Sequence, residues 1–336
     1  MIDRRRLILT AVVTGASVLT AGARTAASQT LAKQTVPPDW LREWPRTDFA
    51  RAGVPFAEIV SGGPPKDGIP SIDDPLFRPL DQVRANPPEP VLSVEIDGVA
   101  RAYPLAVLMW HEIVNDTLGG QPLAVTYCPL CNTGIVFDRV VAGRVTTFGT
   151  TGKLRRSDLV MYDRETESWW QQFDGTAIIG TRLGTVLRKV PARMESHGEF
   201  AARHPQGQVL VPNAPTLRDY GRNPYVGYDS LRRPFLYDGR YDGPGEPLMR
   251  VVHVEGRAEA WSLGLLRARG RITAGDLTLT WSPGQASALD TARIAAGRDV
   301  GTVVVTAADG RPVVWTIPFA FAFAAFMPDA PIRHLD

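Results

Sequence analysis

The sequence predicts an α+β chain in which β-structure dominates. It is built as two related, duplicated antiparallel β units with short helices, the second copy degenerate. Three observations carry this prediction. The 31 glycines and 28 prolines are too many for a helical protein and mark frequent turns. Strand-like runs are separated by Asp-Gly and Ala-Gly pairs, and Asp-Gly supplies the positive φ that a tight hairpin turn needs. The chain also repeats itself. Residues 98–105 match 256–263, and residues 123–129 match 277–283 in a register that runs on to Ala142-Gly143-Arg144 against Ala296-Gly297-Arg298.

The elements follow in order. Residues 91–96 and 99–103 read as a hairpin across Asp97-Gly98. Pro104 suits a first helical turn and opens a short helix to about Trp110. Residues 123–127 are a buried strand. Residues 134–141 and 144–148 predict a second hairpin across Ala142-Gly143, and residues 159–163 pair with 168–173 across a four-residue turn. Glu199 to Arg203 is the middle of a short helix stopped by Pro205. Residues 61–75, dense in Gly, Pro and Asp, form a long loop of the kind that often carries function.

These elements divide the chain into a leader (1–27), a linker (28–45), a first unit (46–215), a connector (216–245) and a second unit (246–336). The leader fits a twin-arginine export signal, with Arg4 and Arg5 separated by one free position from Leu7 and Ile8 and small-residue cleavage sites after Ala23 or Ala27. The expected location is therefore periplasmic or otherwise extracytoplasmic. No cysteine lies near the cleavage sites, which excludes a lipoprotein, and no stretch of the mature chain is long enough to span a bilayer. Removing the leader's four arginines and one aspartate turns the net charge from +2 to −1, so nothing suggests a nucleic-acid partner.

The chemistry concentrates at Cys128-Pro129-Leu130-Cys131, which holds the only two cysteines. In the second copy Ser282 and Gln285 stand at the matching places, so the thiols are not needed to build the unit. Two readings give them work. In the first, Cys128 is the nucleophile of a thiol–disulfide exchange, Cys131 resolves the mixed disulfide, and His111 tunes the thiol or donates a proton. The partner is then an unidentified redox protein. In the second, Cys128, Cys131 and His111 hold copper or zinc, with a fourth ligand from Met161, His204 or water, and the partner exchanges metal.

A third reading is a non-catalytic binding module with the cysteines merely bridged. Asp67 and Asp73 in the long loop, and Tyr127 and Thr133 beside the cysteines, are the candidate substrate contacts. No zinc-protease helix motif, nucleophile elbow or phosphate-binding loop is present.

The run His111 to Gly120, the segment Val125 to Cys131 and Phe137-Asp138-Arg139 resemble the bacterial and archaeal family DUF3179. Residues 61–75, 161–168 and 203–205 are similar to it as well. The resemblance is strong over residues 40–230 and weak over the second copy. It implies little about activity, although selenoproteins among its members imply redox work at the motif. The family often has Gly where this chain has Asn132.

Overall fold

The computed structural model describes residues 34–335, so the leader and most of the linker lie outside the described residues. Strands make up 37% of the described residues and helices 15%. The expected β-rich architecture with a few short helices is present. Among the described residues the strands form five small sheets of three to five strands and one two-stranded ladder, arranged like the blades of a five-bladed propeller.

Local sequence explains the elements that lead to the cysteines. Pro90–Ile96 pairs with Val99–Pro104 in the expected hairpin, and Asp97 and Gly98 both take positive φ, as its tight turn requires. The helix Leu105–His111 follows directly and ends where Glu112 takes a φ of 56°. Ile113–Leu118, Gln121–Cys128 and Thr133–Asp138 then form three antiparallel strands. Gly119 and Gly120, both at positive φ, make the first of their two turns.

One expected hairpin is corrected. Only Val140–Val141 and Arg144–Val145 pair there. The Asp138 carboxylate accepts from the Val140 amide at 2.8 Å and turns the chain, so Thr133–Asp138 pairs instead with Gln121–Cys128 and Lys189–Val190. Phe148–Arg155 leaves to pair with Asp158–Asp163, which pairs with Trp169–Gln171 as expected. The predicted helix before Pro205 spans His197–Arg203 and opens on a capping box between Ser196 and Glu199.

The expectation of two duplicated units holds only in element order. Val251–Val254, Ala260–Ser262, the helix Leu263–Arg269, Arg271–Ala274, Leu277–Ser282 and Thr302–Ala307 repeat the strand, strand, helix and three-strand order of the first half. The sheets do not separate into two bodies, because one apolar core runs through residues of both halves, from Val125 and Ile135 to Val305 and Phe319. Sheets this small leave apolar faces that only a neighbouring sheet covers, and the neighbours come from both halves.

The segment read as a connector is irregular, yet it is packed. Tyr228 is fully buried, and Asp229 pairs with Arg250 at 2.8 Å. At the other end of the described chain, Trp40, Trp44, Phe49 and Trp169 pack in tilted and edge-to-face pairs, ring centroids 4.8–5.9 Å apart, and pin residues 38–56 to the strand Trp169–Gln171.

Candidate functional site: a buried thiol and carboxyl cluster

The ladder between Gln121–Cys128 and Thr133–Asp138 ends at the pair Cys128 and Thr133, and residues 129–132 close the turn. The Asn132 amide donates to Pro129 O at 3.2 Å, and Asn132 has a φ of 55°. Gly and Asn enter this left-handed region most readily, so Asn132 does what the more usual Gly would do. The turn sets both sulfurs on the same end of the sheet. They are free and buried, and the pair is 4.1 Å apart, which is not a disulfide. The thiols of Cys131 and Cys128 point at Ser157 O, at 3.2 and 3.8 Å.

The far half of the chain clamps the turn. The Phe319 amide donates to Cys131 O at 2.9 Å, the Asn132 side-chain amide to Ile317 O at 2.7 Å, and the Tyr228 hydroxyl to Leu130 O at 2.9 Å.

A third group completes the cluster. A carboxylate oxygen of Asp158 and the sulfurs of Cys128 and Cys131 all lie within 4.8 Å of one another, and all three residues are buried. Gln171 Nε2 at 2.6 Å and the Phe173 amide at 2.9 Å donate to Asp158 Oδ2. Thr133 Oγ1 donates to Gln172 Oε1 at 2.8 Å, and Gln172 Nε2 donates to Thr126 Oγ1 at 2.8 Å. The cluster is thus oriented by a second layer of neutral hydrogen bonds.

Glu112 is the fourth acidic group. It shares a cavity wall with Cys128, and it is a bulky residue held at positive φ, a conformation that tends to persist at functional sites.

Burial governs the protonation of this cluster. It raises Glu112 from its ordinary 4.5 to about 8, helped by the nearby Asp158. It raises Asp158 to about 7 against the donation from Gln171 and Phe173. Both thiols are pushed up by burial, Cys131 further because Cys128 and Asp158 crowd it. Without a bound cation, neither thiol is an activated thiolate at neutral pH.

A stability prediction follows for metal-free protein. The unfolded chain loses the Glu112 and Asp158 protons near pH 4, whereas the folded chain keeps them to about 8 and 7. Stability is therefore full below pH 4 and declines as pH rises to about 8, by roughly 1.4 kcal/mol per pH unit per carboxyl. Urea unfolding of metal-free protein between pH 5 and 8 checks this. Glu112→Gln should flatten the slope by about one proton, and an unchanged slope would remove Glu112 from the account.

The other expected site residues are placed as follows. His111 is not in the cluster. Its Nδ1 donates to Pro70 O at 2.7 Å, which leaves Nε2 of the neutral ring to accept from the Tyr220 hydroxyl at 2.7 Å. Burial and Arg218 lower its pKa, which favours that neutral form. His204 lies at a helix end, 3.6 Å from Glu95. Thr133 supports the cluster, and the buried Tyr127 donates to Asn132 Oδ1 at 3.3 Å.

Asp67 and Asp73 flank Arg164, at 3.6 and 2.7 Å. They brace the long loop and do not face the thiols, yet Gly62, Pro64 and Ile69 of that loop do line the cavity.

Asp158 and Glu112 carry no motif that singles them out in the sequence. The only faint signal is an acidic residue immediately before each of two strand-like runs, Asp158 before Leu159 and Glu112 before Ile113.

Residues 66–330 match the family described as protein of unknown function (DUF3179). No curated protein and no solved structure matches the chain.

Proposed function

Because this chain belongs to the DUF3179 family, whose description assigns no activity, its function rests on the site, and we propose that it is a metal protein. Cys128, Cys131 and Asp158 bind one cation of the zinc type and leave one coordination position open toward the cavity beside Glu112. The observation that carries this is the spacing of three buried acidic ligands within 4.8 Å. Two thiolates bound to tetrahedral zinc through bonds of about 2.3 Å stand roughly 3.8 Å apart. The pair here is at 4.1 Å, twice the roughly 2 Å of a disulfide.

The donor set also supports zinc over copper(I). Two soft thiolates with a hard carboxylate suit a borderline cation, whereas copper(I) prefers an all-sulfur or sulfur–imidazole set. A cation resolves the electrostatics as well, since it neutralises acidic groups that otherwise stay protonated. Three protein ligands with a free position facing a cavity are the pattern of catalytic zinc sites.

The test is metal analysis of protein purified without chelator, read with its free-thiol count. About one zinc per chain is expected. Protein that neither carries metal nor takes up added zinc would sink the reading.

A second reading keeps thiol–disulfide exchange, favoured by two free thiols side by side with Cys128 on a cavity wall. Cys128 would attack a partner disulfide and Cys131 would displace it. The two thiols give up two electrons and two protons, and the partner leaves as a dithiol. A trapped mixed disulfide in Cys131→Ser, from metal-free protein, would favour this reading.

Two further readings belong to this proposal. The leader exports the folded, metal-loaded chain by the twin-arginine route, which cell fractionation tests. The recurring element order reflects a duplication in which the second copy lost its thiols.

A further inference from the structure

The cavity before Cys128 has a volume of about 380 Å³, within the range of small-molecule sites. Most of its wall is hydrocarbon. Ile69, Leu154 and Leu159 form the sides, and Phe235 and Leu236 stand at the mouth. These two large apolar side chains are 46% and 49% exposed, which single surface positions tolerate but which a ligand would cover.

The polar groups are few and lie together: Glu112, Cys128 and Tyr225. Lys153 also borders the cavity, but its ammonium is committed elsewhere. It binds Glu43 at 2.8 Å and sits 5.7 Å from the rings of Trp44 and Trp169. No free side-chain cation therefore faces the cavity, and a dication held by two thiolates and a carboxylate carries a net charge of about −1, so an anionic ligand finds no net positive charge there. Stripping water from a charged ligand against aliphatic walls is costly without a partner.

Glu112 is different from the other carboxyls near the site. Gln171 and the Phe173 amide both hold Asp158 Oδ2, while the Glu112 carboxyl lies on the wall of the cavity itself. A buried carboxyl on a cavity wall is a natural partner for a ligand head. A hydroxyl suits it in either protonation state, because a hydroxyl both donates and accepts.

We propose that this cavity binds a small uncharged molecule with an apolar body and one hydroxyl head, the body against Ile69, Leu154 and Leu159 and the head at Glu112 beside Cys128. The inference deepens the proposed function, because it makes that molecule the substrate class presented to the open metal position.

The test titrates benzyl alcohol, benzoate and benzylamine, one body with three head charges, into full-length protein of measured zinc content and follows binding by ligand-observed NMR. Benzyl alcohol should bind about tenfold tighter than either charged analogue. Glu112→Leu should weaken it about fivefold, the worth of one hydrogen bond. Leu236→Trp, a change at the exposed mouth that leaves the core intact, should weaken it at least as much by filling the entrance.

Zinc-loaded protein that ignores benzyl alcohol, prefers a charged analogue, or binds equally in both variants overturns this inference and leaves the metal centre standing. Benzyl alcohol binding that responds to both variants in protein unable to hold zinc supports the cavity assignment and removes the metal reading.

Discussion

The Cys131→Ser protein is expected to purify with less than about a tenth of the zinc of the unaltered chain, because a neutral hydroxyl replaces a thiolate in a three-ligand site. Cys131 is completely buried and its carbonyl is held by Phe319, so the backbone clamp survives the change and the loss is chemical. Asp158→Asn should act in the same direction with nearly unchanged shape. It keeps one oxygen for the Phe173 amide and Gln171, and the lost charge should cost at least about 10–100-fold in zinc affinity.

His111→Ala is the control. Both its ring nitrogens are used by Pro70 and Tyr220, so zinc content should stay within about twofold of the unaltered chain, since no ligand is removed. Metal analysis with circular dichroism on the four proteins decides the outcome. Zinc retained in Cys131→Ser would defeat the centre as drawn, and zinc lost in His111→Ala would return the histidine to the ligand set.

Trp169→Ala should produce the largest loss of stability, about 3–5 kcal/mol. The side chain is fully buried and stands between Trp40, Trp44 and Phe49 on one side and its own strand on the other. Without it the segment carrying Trp40, Trp44 and Glu43 loses its seat. Glu43 then no longer fixes Lys153, which borders the cavity. Limited proteolysis should cut within residues 38–56 long before the core unfolds.

Trp169→Phe should retain most of the stability. It keeps an aromatic ring, and it removes an indole N–H that is buried without a partner. Equal protease resistance in the Ala and unaltered proteins would show that the aromatic cluster does not anchor this segment.

The parts of the fold that were legible in the sequence are those set within a few residues. Asp97-Gly98 made its hairpin, and Pro104 marked its helix. The strand before Cys128 lay where its apolar run put it, and the thiols stand on a turn between strands, with no long helix after them. The second hairpin failed because one side chain–backbone bond, from the Val140 amide to Asp138, redirects the chain. Pattern alone carries no sign of such a bond.

The cluster divides in the same way. Cys128 and Cys131 were legible because rarity and spacing identify them. His111 was a reasonable ligand on type and nearness in the chain, but it ends its helix facing Tyr220, and it is the next residue, Glu112, that reaches the cavity. Asp158 could be paired with the thiols only once its strand was seen to begin beside their turn.

The residue pattern alone makes this protein β-rich, sets its two cysteines together on a turn after a strand, and repeats the order of elements in the second half without the thiols. These are local or self-referential properties, set by turn chemistry, strand pattern and comparison of the chain with itself. Long-range packing is what joins five small sheets in one core, brings Asp158 rather than His111 to the sulfurs, and sets residues of 216–245 at the mouth of the cavity. Those features depend on contacts between residues far apart in the chain. Such contacts are fixed by which apolar faces must be covered, and no short stretch of sequence records them.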